Sequence, residues 1–184
     1  MRKIRDDNSI EDRDTWLEMI MDEYGERLTK LAYNYVKDWK LAEDIVQDVF
    51  ITCYQNYDKI DEVSSFKSWI YRLAINRSKD VLKSHAFRKV VLNSSLFSLF
   101  SSKELPPEKE LLKRSEEEFL SLCVLSLPVK YREVVTLYYY EECSIEEIQG
   151  LIGVNQNTIK TRLSRGRMKL KKMMERRGYN GEQA

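Results

Sequence analysis

The chain has 184 residues, of which 42% are hydrophobic and 33% are charged, with only 6 glycines and 3 prolines. This composition favours an all-α globular protein over a β-sandwich or a barrel. No apolar run approaches the roughly 20 residues that a membrane-spanning helix needs, and the first residues lack the apolar core of a signal peptide. We therefore expect a cytoplasmic protein without membrane insertion.

The residue types that carry most enzyme chemistry are sparse and scattered. Cys53, Cys123 and Cys143 stand far apart, and the only histidine is His85. This spacing fits neither a metal site nor a disulfide framework. There is also no phosphate-binding loop and no nucleophile beside a base. The sequence thus predicts no catalytic residues, no metal, no cofactor and no small-molecule substrate.

The net charge of +1 conceals a segregation of charge along the chain. Residues 63–92 hold seven basic and one acidic side chain, and residues 154–184 hold nine basic and two acidic ones. Residues 1–62 and 93–153 have net charges of −7 and −5. Two separate basic segments predict two spaced contacts with a polyanion such as DNA. The alternative is that the basic helices only have solvated faces.

Two helices are predicted in the acidic first segment. Residues 1–13 are charged and expected to be mobile, while apolar spacings of three and four predict helices at 15–36 and 41–57. The second helix has one apolar stripe that would be buried. Its outward face is polar except for two large apolar side chains without an internal partner, which is typical of a docking surface. This face comprises Asp44, Gln47, Asp48, Ile51 and Tyr54.

A polar loop is predicted at 58–65, and a third helix at 66–84. The expected core side of this helix carries Phe66, Ile70, Leu73, Ala74 and Val81. Another side forms a basic stripe with one amide, made of Arg72, Asn76, Lys79 and Lys83. The aromatic rings of Phe66 and Tyr71 fit two roles equally well, a surface on which a base stacks or a place in the core.

The segment that follows differs in composition from the helices on either side. Residues 93–107 are rich in serine, lack helical periodicity and end in a Pro-Pro pair, which is typical of a linker. Helical patterns resume at Pro107, and Pro128 opens a further helix. We therefore expect two small helical domains, at 1–92 and 107–184, joined by a flexible linker at 93–106.

The strongest local signals lie in the second basic segment. Ser144 and Glu147 form a capping box at the start of a short helix. Gly153 can end that helix in the left-handed conformation, and Asn155 is a good N-cap for the next helix. These features together predict a helix-turn-helix. The packing stripe of its second helix comprises Ile159, Leu163, Gly166, Leu170 and Met173.

The opposite face of the second helix suits a recognition helix. Its first turns carry polar side chains that can reach base edges, and its later turns are basic enough to neutralise phosphates. An asparagine at 157 could read adenine and an arginine at 165 could read guanine. The predicted DNA-binding residues are Asn157, Thr158, Lys160, Thr161, Arg162, Ser164, Arg165 and Arg167. The alternative is an ordinary basic amphipathic helix.

Two stretches of the chain resemble the sigma-70 family of bacterial RNA polymerase. Leu127-Pro128, followed by Tyr131-Arg132-Glu133-Val134 and the helix-turn-helix, resembles region four of that family. Gly150 and Gly166 stand where the family usually has alanine. The segments 41–50 and 66–76 resemble region two. With both regions in order and a short linker, the chain resembles the extracytoplasmic-function (ECF) sigma factors.

This resemblance implies partners and roles for the faces identified above. The outward face of the second helix would bind the β′ clamp helices of core RNA polymerase, and the C-terminal domain would meet the β flap. The helix-turn-helix would hold the minus-thirty-five element of promoter DNA. The melted minus-ten strand would be held by Ser65, Phe66, Arg72, Asn76, Lys79 and Lys83. The apolar linker residues would thread toward the RNA exit path or be ordered by an anti-sigma factor.

A stand-alone helix-turn-helix regulator is the main alternative function. Such a protein would bind its operator tightly on its own, whereas a sigma factor needs core polymerase to fix the spacing of two weak DNA contacts.

Overall fold

The computed structural model describes residues 8–62, 64–84 and 116–175, and the regular structure in these ranges is entirely helical. The prediction of an all-α fold is confirmed. None of the described helices is long and apolar enough to cross a membrane. The described α-helices are α1 (Asn8–Val36), α2 (Trp39–Gln55), α3 (Phe66–Lys83), α4 (Glu116–Ser126), α5 (Val129–Tyr139), α6 (Ile145–Ile152) and α7 (Gln156–Glu175).

Contacts between Cα atoms divide the chain into two compact units, with the division between Val81 and Leu82. The N-terminal unit contains α1, α2 and most of α3, and the C-terminal unit contains α4 to α7. The domain boundary predicted at residue 92, the linker at 93–106 and the start of the second domain at 107 lie outside the described residues.

The packing of α1 against α2 forms the core of the N-terminal unit. The Asp38 side chain caps α2 by accepting a hydrogen bond from the Leu41 backbone N–H at 3.0 Å. The stripe predicted to be buried in α2 is confirmed, and Phe50 joins it. Burial raises the pKa of the Cys53 thiol in this stripe to about 12, so the thiol stays protonated at neutral pH.

The start of α1 was predicted wrongly, because α1 begins at Asn8 rather than near residue 15. Arg13 holds this first part of the helix against a distant segment. Its guanidinium donates a hydrogen bond to Asp58 at 2.8 Å and lies 5.2 Å from the centre of the Tyr57 ring. The predicted loop that contains Asp58 is also shorter than expected, because Tyr57–Glu62 form a 3-10 helix.

The buried side of α3 is rotated from the predicted one. Ile70 and Ala74 are buried as expected, but Tyr71 and Ile75 are buried as well. Ser78 is buried too, because its hydroxyl donates to the Ala74 carbonyl at 2.7 Å and therefore needs no water. A serine in the core has no signature in an apolar periodicity, which explains why Ser78 was not predicted to be buried.

The C-terminal unit has a core that includes charged side chains. In α4, Phe119 and Cys123 pack against Leu170 and Met173 of α7. The buried Arg132 of α5 donates two hydrogen bonds to backbone carbonyls of the preceding turn. A charged side chain inside a small helical unit is stable only with such partners.

The local signals of the helix-turn-helix are all confirmed. The Ser144 hydroxyl accepts from the Glu147 N–H at 3.2 Å, and the Glu147 carboxylate accepts from the Ser144 N–H at 2.8 Å. Gly153 ends α6 with a φ of 68°, where a Cβ would be strained. The Asn155 side chain accepts from the Thr158 N–H at 2.9 Å and so caps α7.

Two helical glycines form a matched pair for testing the packing of α7. A Cβ on Gly150 of α6 would have nothing within 4 Å, whereas a Cβ on Gly166 would lie 2.9 Å from Cγ2 of Val135 in α5. Val135 is buried, and its branched side chain is stiff. The predicted place of Gly166 on the packing stripe is therefore confirmed, and its lack of a side chain allows α7 to approach α5 closely.

We expect Gly150→Ala to raise the free energy of unfolding by about 0.5–1 kcal/mol, because alanine is the better helix former. Gly166→Ala has the same helical gain but overpacks Val135, so it should be ~1–3 kcal/mol less stable than Gly150→Ala. Urea unfolding followed by circular dichroism measures both. Equal stabilisation by the two substitutions would contradict the close approach of α7 to α5.

Candidate nucleic-acid interface and docking face

The polar face of α7 lies on the surface of the C-terminal unit. Its predicted packing stripe faces inward, with Ile159, Leu163 and Gly166 buried. The predicted DNA-binding residues that are exposed are Asn157, Lys160, Thr161, Ser164, Arg165 and Arg167. On one exposed helical face, the polar side chains of the first turns can reach base edges while the basic side chains of the later turns contact phosphates.

Two of the predicted DNA-binding residues are only half exposed. Thr158 lies beside the cap of α7. Arg162 faces the buried carboxylate of Glu133 in α5, with 3.8 Å between the charged atoms. Since a carboxylate in the protein interior needs a cation nearby, Arg162 has a structural role as well as a position at the edge of the polar face.

Two residues of α5 that were not predicted from the sequence lie beside this face. Lys130 and Tyr131 line a cavity of about 360 Å³ together with Asn157, Thr161 and Arg165 of α7. The contact joins residues of different helices, so no local spacing or cap could have revealed it. The only available signal was the position of Lys130 and Tyr131 just after Pro128, at the start of a helix.

The outward face of α2 is partly as predicted. Asp44 and Gln47 are exposed, and Ile51 is 49% exposed despite being a large apolar side chain. Asp48 forms an ion pair with Arg77 of α3, so its carboxylate also ties α2 to α3.

The prediction that Tyr54 lacks an internal partner was wrong. The guanidinium of Arg13 in α1 lies 5.1 Å from the centre of the Tyr54 ring. The Tyr54 hydroxyl also hydrogen-bonds to the Asp14 carboxylate, and this bond raises the pKa of Tyr54. The first turns of α1, which the sequence placed outside any helix, supply both partners.

A largely apolar groove of about 790 Å³ runs between α1 and α2 beside Ile51. Leu17 and Met21 of α1 and Phe50 and Ile51 of α2 line it. Met21 is 46% exposed there, so the apolar surface around Ile51 continues onto a second helix. An exposed apolar groove with a polar edge is typical of a protein-docking surface.

The predicted basic stripe of α3 is on the surface. Arg72, Asn76 and Lys83 are exposed, and Lys79 is half-buried. Ser65 is exposed, and its hydroxyl accepts a hydrogen bond from the Ser68 N–H at 3.3 Å at the start of α3.

The two aromatic candidates of α3 differ in accessibility. Tyr71 is only 1% exposed and belongs to the core, which leaves it no face for stacking a base. Phe66 is half-buried in a cluster of aromatic rings with Trp16, Tyr24 and Trp69. In the parts of the chain that the structure describes, no cluster of His, Cys, Asp or Glu could hold a metal ion.

Each half of the chain matches a known protein family. A sequence model of Sigma-70 region 2 matches residues 20–88, and one of Sigma-70 region 4 matches residues 120–170. The ECF RNA polymerase sigma factor SigW of Bacillus subtilis is 30% identical over 162 residues, which cover 84% of this chain and 87% of SigW. SigM of the same organism is 29% identical over 168 residues, covering 89% of this chain and all of SigM.

Solved structures show the same fold. The sigma factor RpoE from Bartonella quintana, crystallised with the anti-sigma factor NepR, superposes with a TM-score of 0.63 at 19% identity, covering 86% of this chain and 96% of RpoE. CnrH, solved in complex with the cytosolic domain of CnrY, superposes with a TM-score of 0.58, covering 87% and 88% of the two chains.

This chain belongs to the ECF sigma factors of the sigma-70 family. It is a transcription initiation factor that binds core RNA polymerase and promoter DNA. A stand-alone helix-turn-helix regulator is not favoured, because region 2 and region 4 occur together and in order.

Proposed function

We propose that the protein holds a promoter at two points, with α7 on the upstream minus-thirty-five element and α3 on the melted minus-ten strand. The upstream contact belongs to a C-terminal domain at 107–184, and the downstream contact to an N-terminal domain at 1–92. A flexible linker at 93–106 would let core polymerase set the spacing between the two. Each contact alone is weak, and the shared polymerase gives the second one a high effective concentration.

The exposed polar face of α7 is the observation that carries the upstream assignment. Asn157 stands at its start, where a recognition helix meets base edges, and an asparagine can pair with adenine through two hydrogen bonds. Arg165 is suited either to a guanine edge or to the backbone. The later basic residues of α7 supply phosphate contacts, which make promoter binding strongly dependent on salt.

The exposed face of α3 supports the downstream assignment. Arg72, Asn76 and Lys83 present two cations and one amide along one side of the helix, which suits the backbone of a single strand. Ser65 and the half-buried Phe66 stand at the N-terminal end of α3. Because Tyr71 is in the core, Phe66 is the remaining aromatic candidate on α3 for contact with an extruded base.

The face around Ile51 is proposed to bind the β′ clamp helices of core polymerase, and the C-terminal unit the β flap. Gln47 lines the apolar groove beside Ile51, and Asp44 and Asp48 are further polar residues on α2. An anti-sigma factor is a further proposed partner, since the compared structures contain such complexes. We also propose that the protein has no catalytic activity of its own and acts in the cytoplasm, where its polymerase is.

Asn157→Ala tests the upstream assignment. We expect holoenzyme containing this variant to lose about 1–3 kcal/mol of promoter affinity, and to lose it only on promoters with the preferred base at one upstream position. A filter-binding assay on a set of single-base promoter variants measures this. Equal loss on every upstream sequence, or no loss, would contradict base reading by α7.

A further inference from the structure

The cavity between the start of α5 and the first half of α7 has an unusual lining. All seven residues around its roughly 360 Å³ are polar or basic, three of them are Lys or Arg, and none is acidic. Within the described ranges, Arg162 is the one cation of the three that faces a carboxylate, that of Glu133. Among the residues that the structure describes, Lys130 and Arg165 have no ion-pair partner. The cavity therefore carries positive charge that no carboxylate of the described residues pairs with.

Several of the basic side chains near this cavity surround the phenol of Tyr131. Tyr131 is 8% exposed, and the ammonium groups of Lys130 and Lys169 lie 5.1 and 5.9 Å from the centre of its ring. Its hydroxyl oxygen accepts hydrogen bonds from Arg165 and Lys130. Burial raises the pKa of Tyr131, but the hydrogen bond from Arg165 and the neighbouring positive charges outweigh burial and lower it. A phenol held in this way keeps the Arg165 guanidinium at the wall of the cavity.

We propose that this cavity binds one phosphate of the promoter backbone, next to the bases that α7 reads. Lys130 and Arg165 donate to the phosphate oxygens, and Tyr131 is a positioning residue that orients Arg165. The proposal rests on the proposed assignment of α7 to the upstream element. It gives α5 a direct part in DNA binding and places Arg165 on the backbone instead of on a guanine.

Neutral methylphosphonate linkages, introduced one at a time along the upstream element, test this in the holoenzyme. We expect Lys130→Ala to weaken binding to every DNA except the one whose neutral linkage replaces the bound phosphate. Its loss of affinity between 50 and 200 mM salt should be about 3.5-fold smaller than that of the wild type, because one counterion fewer is released. If Lys130→Ala weakened binding by the same factor on every one of these DNAs, so that its loss simply added to the loss from each neutral linkage, the proposal would be overturned.

Tyr131→Phe removes only the hydroxyl. We expect it to weaken binding about 3–10-fold, as for one hydrogen bond, and to be silent on the same methylphosphonate DNA as Lys130→Ala. Its salt dependence should match the wild type, since the phenol is uncharged. A loss of equal size on all DNAs would mean that Tyr131 only supports the fold, which contradicts its positioning role. Circular dichroism confirms that the variant is folded.

Lys30→Ala is the matched control, because Lys30 is an exposed lysine of the N-terminal unit that pairs with Glu26. It should change neither affinity nor salt dependence. If Asn157→Ala and Arg165→Ala also leave promoter affinity unchanged, the assignment of α7 itself fails. If those two weaken binding while Lys130→Ala and Tyr131→Phe do not, the phosphate site alone fails.

Discussion

Arg132→Met is expected to lower the free energy of unfolding of the C-terminal unit by about 2–4 kcal/mol. Arg132 is 2% exposed, and its guanidinium donates to the carbonyl oxygens of Leu125 at 2.6 Å and Leu127 at 3.0 Å. Methionine fills a similar volume but leaves both carbonyls without this charged donor, and hydrogen bonds to charged groups contribute roughly 1.5–3 kcal/mol each. These bonds join the end of α4 to α5, so their loss should loosen the base on which α7 packs.

The distribution of tryptophans makes the measurement specific. Trp16, Trp39 and Trp69 are the only tryptophans, and all lie in the N-terminal unit. In a urea titration, tryptophan fluorescence should follow an unchanged transition, while circular dichroism shows an additional, earlier loss of helix. The control is Arg167→Met, an exposed arginine of α7, which should change stability by less than about 0.5 kcal/mol. Equal effects of the two substitutions would contradict the role of Arg132.

Ile51→Lys is expected to weaken binding to core RNA polymerase about 30–1000-fold, the loss of ~2–4 kcal/mol that is typical of a central apolar contact. Ile51 is 49% exposed at the edge of the groove between α1 and α2. A lysine there places a charge in the apolar part of the interface but stays hydrated in the free protein. Fluorescence anisotropy of labelled protein titrated with core polymerase measures the change.

Met19→Lys is the matched control for this experiment. Met19 is 64% exposed on α1 but does not line the groove, whereas Leu17 and Met21 do. The same change of an exposed apolar side chain to lysine should therefore leave polymerase binding unaltered. Equal weakening by both variants would contradict docking at the groove, as would unchanged binding of Ile51→Lys.

Features that depend on neighbouring residues could be predicted from the sequence. The capping box at Ser144, the left-handed Gly153 and the Asn155 cap each involve atoms within four residues of one another, so residue types and spacing determine them. The buried stripe of α2 also followed from its periodicity. The recognition face of α7 could be predicted too, because it is the face that remains exposed once the packing stripe of the helix is assigned.

Features that depend on contacts between distant residues could not be predicted. Arg13 contacts Asp58 across 45 residues, and the same guanidinium lies against the ring of Tyr54. Arg77 reaches Asp48 across 29 residues. In both cases a surface charge pairs with a partner that only the fold brings near, and neither residue type has a fixed preference for such a position.

The same limit applies to the candidate site. Residues of one helical face, such as Asn157, Thr161 and Arg165, could be grouped because a helix places them together. Lys130 and Tyr131 could not be added to this group, because their proximity depends on how α5 packs against α7. Close packing of α7 against α5 requires Gly166, whose place on the packing stripe could be predicted from the sequence. The α5 side chains that this packing brings beside α7 could not be predicted in the same way.

Transcription in vitro with core polymerase tests the central claim, that this protein confers promoter recognition on the polymerase. Core polymerase is incubated with fragments of the source genome, with and without the protein, and RNA start sites are mapped. We predict discrete start sites that appear only with the protein, each preceded by two sequence elements at a constant spacing. Tight operator binding by the protein alone, with no start sites and no co-migration with core polymerase, would contradict the claim.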